Sequence, residues 1–211
     1  MKVVLYGATG RVGSRILREL LSRGHQVTAV ARDPGSMKPE AGLSTVVDDL
    51  SDAGKTASVI RGAEAVISAY APPQGNTDEL VAVTRRLIEA VKQSGVPRLL
   101  MVGGAGGLEV APGVTLSNSG HLPPEWMPIA RSHEKALEEL RASDIDWTYL
   151  APAAYFDPGT RTGRFTLGRD QLITNDKGES RVSMEDYAIA MVDEIEKPQH
   201  RRQRFCVGYS T

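Results

Sequence analysis

The sequence predicts an α/β fold in which helices cover both faces of a doubly wound parallel sheet. Short β-branched runs alternate with segments of helical periodicity through the first 150 residues, the pattern of repeated βα units. A glycine-rich turn separates the first run from the first helix. The 211 residues, 41% of them hydrophobic, suffice for one aliphatic core, so we expect a single domain spanning 1–211.

Six strands are predicted from short apolar runs, each bounded by Gly, Pro, Asp or Ser. They are Val3–Tyr6, Gln26–Ala31, Ser44–Val47, Ala65–Ser68, Arg98–Val102 and Trp147–Leu150.

Three helices are predicted between these strands from their apolar stripes. The first carries Val12, Ile16 and Leu20 on one row and ends at Gly24. The others span about Asn76–Gln93 and about Glu125–Arg141. The inward row of the third helix is expected to be Trp126, Ala130, His133, Leu137 and Leu140.

The pattern changes after Leu150, where prolines and glycines interrupt it. Two short runs, Arg164–Leu167 and Gln171–Thr174, predict a hairpin, and a helix over Met184–Glu196 precedes a closing strand at Arg204–Gly208. We expect residues 151–211 to include a small C-terminal substrate lobe over the carboxyl ends of the strands.

Composition excludes several classes of partner. The formal net charge is −1, so neither nucleic acid nor an anionic membrane is an expected partner. The lone Cys206 and the lack of zinc-like Cys/His spacing predict a reducing compartment and no metal. No apolar run approaches the roughly 20 residues of a membrane span, so a cytoplasmic protein is expected, either monomer or homodimer.

The strongest chemical signal is the G-x-x-G-x-x-G formed by Gly7, Gly10 and Gly13, directly after the first strand. In this context the first glycine allows a tight turn, the second lets the backbone approach a pyrophosphate, and the third lets helix and strand pack closely. Thr9, Arg11 and Val12 complete the predicted cofactor loop. The alternative is a tight βα turn without a ligand.

The end of the second strand, which should meet the adenosine ribose, reads Arg32-Asp33. A guanidinium at this place neutralises a 2′-phosphate, so NADPH is expected in preference to NADH, with Arg11 as a second positive charge. Two alternatives stay open: Asp33 binds the 2′-hydroxyl of NAD, or Arg32 merely pairs with Asp33 or faces solvent.

The Gly-Ala-Thr-Gly-x-x-Gly motif resembles the atypical branch of the short-chain dehydrogenase/reductase superfamily, which has a Rossmann fold. Within it, the chain is similar to biliverdin IX-beta reductase and flavin reductase-like NAD(P)H-binding proteins. The supporting stretches are Gly103–Gly106, Asp146–Pro152, Arg161–Gly163 and Arg204–Tyr209. The resemblance implies cofactor contacts by Asp49 and Leu50 at the adenine, Ala69, Tyr70 and Ala71 at the adenosine and ribose, Gly103, and Pro152 and Ala153 at the nicotinamide.

The proton-transfer pair of standard members, Tyr-x-x-x-Lys, is missing from the sequence, and glycines at 103 and 104 replace the expected serine. Hydride transfer to a planar acceptor, such as a flavin, a biliverdin-like or a quinone-like compound, demands less of the protein. Tyr155 and Phe156 are candidate walls for such a ring.

Two further polar residues are weaker candidates: His133 as a catalytic acid and Ser117 as a substrate contact. The missing pair also leaves open a catalytically silent NADPH-binding redox sensor. An NAD-dependent epimerase or dehydratase fits the sequence less well.

Overall fold

A computed structural model describes residues 1–35 and 37–211. The helices in this part of the chain are α1 (Gly13–Ser22), α2 (Ala53–Ile60), α3 (Glu79–Ser94), α4 (Met127–Ala142) and α5 (Met184–Glu196), with 3₁₀ turns at Leu116–Asn118 and Pro124–Trp126. The strands are β1 (Lys2–Tyr6), β2 (Gln26–Ala31), β3 (Leu43–Val47), β4 (Ala65–Ser68), β5 (Leu99–Val102), β6 (Glu109–Ala111), β7 (Val114–Thr115), β8 (Trp147–Ala151), β9 (Tyr155–Asp157), β10 (Thr166–Gly168), β11 (Arg181–Ser183) and β12 (Gln203–Gly208).

Eight strands form one sheet in the order β10-β12-β8-β5-β4-β1-β2-β3. Every neighbouring pair is parallel except β10 and β12, which are antiparallel. The order reverses between β1 and β4, the topological switch point at which doubly wound sheets bind their ligands. The predicted Rossmann fold is confirmed.

Alternate residues of the central strand β1 enter two different cores because successive side chains point to opposite faces. Val3 and Leu5 pack with α1 and α5, whereas Val4 and Tyr6 pack with α2, α3 and α4. The sheet is therefore covered on both sides, and its strands carry apolar residues on both faces.

The structure adds one helix that the sequence pattern did not predict. Helix α2 has only eight residues and begins at the cap Asp52, whose carboxylate accepts a hydrogen bond from Lys55 N at 2.7 Å. The predicted second helix begins at Glu79 rather than Asn76 and ends at Ser94, capped by Gly95, whose φ of 73° is left-handed.

The predicted third helix needs a correction at its start. Residues Pro124–Trp126 form a 3₁₀ turn, and α4 begins at Met127. Trp126 is 59% exposed, so its place in the inward row was wrong. The rest of the row is buried or partly buried, with His133 among the partly buried residues.

The predicted hairpin in the C-terminal part was also wrong. Strand β10 pairs with the closing strand β12 instead, with Thr166 opposite Gly208. Gln171 bridges to Glu109 of β6. Helix α5 packs beside α1, and β12 extends the main sheet. Strands β9 and β11 form a separate two-stranded sheet, which with its flanking loops is the part of residues 151–211 that is not built into the main α/β layers.

Within 1–35 and 37–211, no helix is long and apolar enough to cross a membrane. The same residues contain no group of three or more His, Cys, Asp or Glu side chains that could hold a metal ion.

Candidate dinucleotide-binding site

Two glycines of the loop after β1 are required by the packing of the protein itself. Gly7 has a left-handed φ of 73°, and a Cβ there would lie 2.4 Å from the carbonyl oxygen of Ala69. A Cβ on Gly13 would lie 2.0 Å from the carbonyl oxygen of Gly7. Both positions exclude a side chain because backbone already occupies the space, so the loop closes tightly against β4 and α1.

Gly10 is less tightly enclosed by the protein than these two glycines. It is exposed, and the nearest atom to an added Cβ is the Gly7 carbonyl oxygen at 3.2 Å. Within the described residues, the N–H groups of Arg11 and Val12 donate to no backbone acceptor. The first turn of α1 contains no acidic residue. An exposed glycine beside free amides at a helix N-terminus fits a dinucleotide pyrophosphate.

Arg32 and Asp33 follow β2 and are both exposed. The Asp33 carboxylate accepts a hydrogen bond from Gly35 N at 3.0 Å. In the part of the chain that the structure describes, Arg32 forms no ion pair, either with Asp33 or with another carboxylate. The Arg32 guanidinium is therefore available to a ligand at this edge of the sheet.

The turn after β3 is organised by a buried carboxylate that the sequence analysis missed. Asp48 is 3% exposed and accepts hydrogen bonds from the Tyr6 hydroxyl and the Thr56 hydroxyl, each at 3.0 Å. It also accepts one from the backbone N–H of Asp49 at 3.0 Å. Burial and the neighbouring Asp48 carboxylate raise the pKa of Tyr6, which keeps the phenol protonated. Nothing in the Asp-Asp pattern distinguishes the structural acid from the exposed one.

Asp49 and Leu50, the residues assigned to the adenine, come next. Asp49 is exposed, and hydrogen bonds from the hydroxyl and backbone N–H of Ser51 hold the pKa of its carboxyl below the usual value. Leu50 is buried and has a left-handed φ of 60°. An ionised carboxylate is thus presented to solvent at the carboxyl end of β3.

Ala69, Tyr70 and Ala71 follow β4 at the switch point. The Ala69 carbonyl lies against Gly7, so β4 and the glycine loop touch directly. Tyr70 is partly buried; burial raises the pKa of its phenol, and the positive charges of Arg32 and Arg86 partly oppose this rise. The charge of Arg32 therefore acts on Tyr70, and the assignment of both residues to an adenosine site stays a prediction.

Gly103 and Gly104 form a side-chain-free ledge after β5. A Cβ on Gly103 would lie 2.3 Å from the Tyr149 ring, and one on Gly104 would lie 3.0 Å from the His133 ring. The Tyr149 hydroxyl accepts a hydrogen bond from Gly104 N at 2.9 Å and lies 3.2 Å from His133 Nδ1. Two aromatic side chains thus support this ledge from below.

His133 contacts this ledge but is not a strong acid. Burial lowers the pKa of its imidazole to about 4, so the ring is neutral at pH 7. Burial also raises the pKa of Tyr149. A proton on the Tyr149 oxygen can be donated to Nδ1, which would place the imidazole proton on Nε2. The catalytic role of His133 stays a prediction.

Pro152 and Ala153, the residues assigned to the nicotinamide, are buried directly after β8. The Tyr187 hydroxyl donates to the carbonyl of Leu150 at 2.7 Å and fixes the end of this strand. The predicted cofactor residues therefore lie at the carboxyl ends of six neighbouring parallel strands, along one edge of the sheet.

The three predicted substrate residues have different environments. Tyr155 is 57% exposed, with the Arg181 guanidinium 4.6 Å from its ring centroid. Phe156 is partly buried, its ring 4.7 Å from that of Tyr187. Ser117 is buried, and its hydroxyl donates to Glu134 Oε1 at 2.6 Å. Tyr155 is the most accessible of the three, and all three assignments stay predictions.

A glycine loop that opens a helix at the switch point of a doubly wound sheet defines a dinucleotide-binding protein of the Rossmann class. The NAD(P)H-binding family model matches residues 7–198. The chain belongs to this family, and the resemblance to flavin reductase-like atypical short-chain dehydrogenases is confirmed.

Three similar proteins cover nearly the whole chain. YwnB of Bacillus subtilis is 40% identical over 98% of both chains. A structure from Bacteroides thetaiotaomicron, described as a candidate epimerase, is 45% identical with a TM-score of 0.94 and covers 100% of this chain and 97% of its own. SP1627 of Streptococcus pneumoniae, described as a candidate NADH-flavin reductase, is 31% identical with a TM-score of 0.90 over 100% of both chains.

Proposed function

We propose that the protein is an NAD(P)H-dependent reductase that prefers NADPH and reduces a planar acceptor such as a flavin, a biliverdin-like or a quinone-like compound. The dinucleotide supplies the hydride when bound. The chain holds the pyrophosphate at Gly10 and the α1 N-terminus and the 2′-phosphate at Arg32. Asp49 meets the adenine, and Pro152 and Ala153 flank the nicotinamide.

The high pKa values of the buried tyrosines favour a conjugated ring over a carbonyl compound as the acceptor. Carbonyl and alcohol chemistry in the superfamily needs a tyrosine whose pKa is lowered by a lysine. Here burial raises the pKa of Tyr149 and Tyr187, and both hydroxyls are engaged in hydrogen bonds. Neither phenol is suited to exchange a proton with a carbonyl. A conjugated ring needs no such group because it delocalises the incoming electrons and can take its proton from water.

The acceptor would lie between the Gly103–Gly104 ledge and Tyr155. Gly104 is partly exposed and adds no side chain at the end of β5, and Tyr155 offers an exposed aromatic face. The rings of His133 and Tyr149 both pack against the ledge, and His133 Nε2 is the nitrogen not engaged with Tyr149.

The proposal is tested by mixing the protein with NADPH and excess FMN without oxygen and following the absorbance of NADPH. Saturable oxidation above a protein-free control is expected, and biliverdin and a quinone extend the panel. A Gly10→Ala variant, which should fold but bind the dinucleotide poorly, is the matched control at NADPH concentrations near the wild-type dissociation constant. Binding of NADPH without oxidation of any acceptor would contradict the reductase assignment.

A silent NADPH-binding sensor is the second candidate, favoured by ion pairs that join the glycine loop and α1 to the C-terminal residues. Such a protein would bind NADPH without turnover and change its affinity for a partner. An epimerase or dehydratase, the description given to the Bacteroides thetaiotaomicron relative, lacks support from the tyrosines. The cytoplasm is the compartment we propose, and monomer and homodimer are both compatible with the proposal.

A further inference from the structure

One face of α1 carries charged residues at every fourth position, beginning in the glycine loop. Arg11, Arg15, Glu19 and Arg23 are separated by four residues each and therefore share one side of the helix. Each of them forms an ion pair with the C-terminal part of the chain. The partners, in the same order, are Asp157, Glu185, Arg161, and the pair Asp193 and Glu196.

The far end of this row is buried and firmly held. The Glu19 carboxylate is 6% exposed and accepts two hydrogen bonds from Arg161, both at 2.9 Å. It also pairs with Arg23 at 2.8 Å. These charge-assisted bonds hold the pKa of Glu19 below its usual value and that of Arg161 above it. The segment that contains Arg161 is therefore anchored to α1.

The end of the row in the glycine loop is different because Arg11 and its partner Asp157 are both exposed. Arg11 Nη2 lies 3.2 Å from Asp157 Oδ1, and the side chains are 66% and 68% exposed. The backbone around Asp157 is nevertheless fixed. Strand β9 pairs with β11 up to Asp157, and Gly159 N donates to Glu185 at 2.7 Å. Asp157 thus presents its carboxylate at a set position beside the glycine loop.

We propose that Asp157 is a positioning residue that holds the Arg11 guanidinium against β9 and competes with the dinucleotide phosphates for it. This inference rests on the proposed function. Arg11 directly follows Gly10, so its side chain starts where the pyrophosphate is expected. An exposed ion pair contributes little free energy, which allows a phosphate to displace it. Asp157 therefore weakens cofactor binding through Arg11.

The competition also links the two halves of the site. Asp157 ends the strand that carries Tyr155 and Phe156, the predicted acceptor residues. Transfer of Arg11 from Asp157 to a phosphate would release the carboxylate at the end of this strand. Dinucleotide binding would then change the affinity for the acceptor, and acceptor binding would change the affinity for the dinucleotide by the same factor.

The test is the dissociation constant of NADPH, measured by titration of its fluorescence at low ionic strength, for Asp157→Asn and Arg11→Gln in a double-mutant cycle. Asp157→Asn should bind NADPH about two- to five-fold more tightly, the size expected for an exposed pair. In the Arg11→Gln background the same change should have no effect. Asp157→Glu should restore the wild-type affinity, and high salt should reduce the gain.

A matched control removes a similar charge from the other end of the row. Asp193→Asn takes away an exposed partner of Arg23 and should leave NADPH affinity unchanged. A gain in the Arg11→Gln background would mean direct repulsion between Asp157 and the phosphates and would overturn the proposal. An unchanged affinity of Asp157→Asn would overturn it as well. Failure of the wild-type protein to bind NADPH would instead refute the proposed function on which it rests.

Discussion

Gly10→Ala separates the requirements of the ligand from those of the fold. Gly7 and Gly13 are glycines because backbone atoms occupy the space of a Cβ, at 2.4 Å and 2.0 Å. At Gly10 the nearest atom would be 3.2 Å away, and the residue is exposed. An alanine at position 10 would therefore make a close contact that a small shift of the Gly7 carbonyl can relieve, whereas a pyrophosphate approaching the α1 N-terminus would meet its methyl group.

The expected magnitudes follow from this geometry. Gly10 does not have a positive φ, and an alanine there needs only a small shift of the Gly7 carbonyl, so the free energy of unfolding should fall by about 1 kcal/mol at most. A methyl group displaces the anion and removes at least one charge-assisted hydrogen bond, about 1.5–3 kcal/mol, which is roughly 10- to 150-fold in affinity. Gly13→Ala creates a backbone clash and should destabilise the protein by about 1–3 kcal/mol or more.

The two variants are compared by urea unfolding and by NADPH titration. Gly10→Ala should unfold like the wild-type protein and bind NADPH poorly, and Gly10→Val should abolish binding. Gly13→Ala should unfold at lower urea concentration whether or not NADPH is present. Wild-type affinity in a folded Gly10→Ala variant would refute the placement of the pyrophosphate.

Three further substitutions test other parts of the site. Arg32→Ala should weaken NADPH binding by about 1–3 kcal/mol and leave NADH almost unchanged; an equal loss for both cofactors in calorimetry would argue against a 2′-phosphate contact. Tyr149→Phe leaves the N–H of Gly104 without its acceptor and should lower the free energy of unfolding by about 1–3 kcal/mol in urea. Because His133 has a folded pKa of about 4 and an unfolded value near 6.5, the unfolded chain binds more protons between these values, and stability falls as the pH is lowered. The contribution of His133 to the free energy of unfolding should fall by about 2 kcal/mol from pH 7 to pH 5. The total fall in stability over this range should therefore be about 2 kcal/mol smaller in His133→Gln than in the wild-type protein. An equal fall in both proteins would show that the imidazole titrates normally.

The sequence predicted the parallel sheet well because each strand is a buried apolar run and the glycine loop fixes the start of α1. The predicted ranges Gln26–Ala31 and Ala65–Ser68 match β2 and β4 as observed. Buried strands between strong turn signals favour a parallel sheet with helices on both sides, since their apolar residues must be covered on both faces of the sheet.

The errors lie where local pattern competes with distant partners. Trp126 continues the apolar spacing of α4, but the chain before Met127 leaves the core and the ring stays exposed. The run Gln171–Thr174 has the composition of a hairpin strand, but β10 pairs with β12 instead. Helix α2 was missed because its eight residues give too few turns for a clear periodicity.

The chemistry of the site was predicted unevenly for the same reason. The glycine loop and Arg32 lie next to strands in the sequence, so their position follows from topology. The contacts of Asp48 with Tyr6 and of Arg11 with Asp157 join residues 42 and 146 positions apart. Contacts of this kind depend on how the helices and strands pack, and the spacing of residues along the sequence does not indicate them.

The central claim is that a bound nicotinamide dinucleotide reduces a planar acceptor at this edge of the sheet. The most direct test is anaerobic NADPH oxidation with excess FMN, measured side by side for the wild-type protein and Gly10→Ala. The account predicts saturable oxidation by the wild-type protein and background rates for the variant. Equal rates for both proteins, or no oxidation of any acceptor by a wild-type protein that binds NADPH, would contradict it.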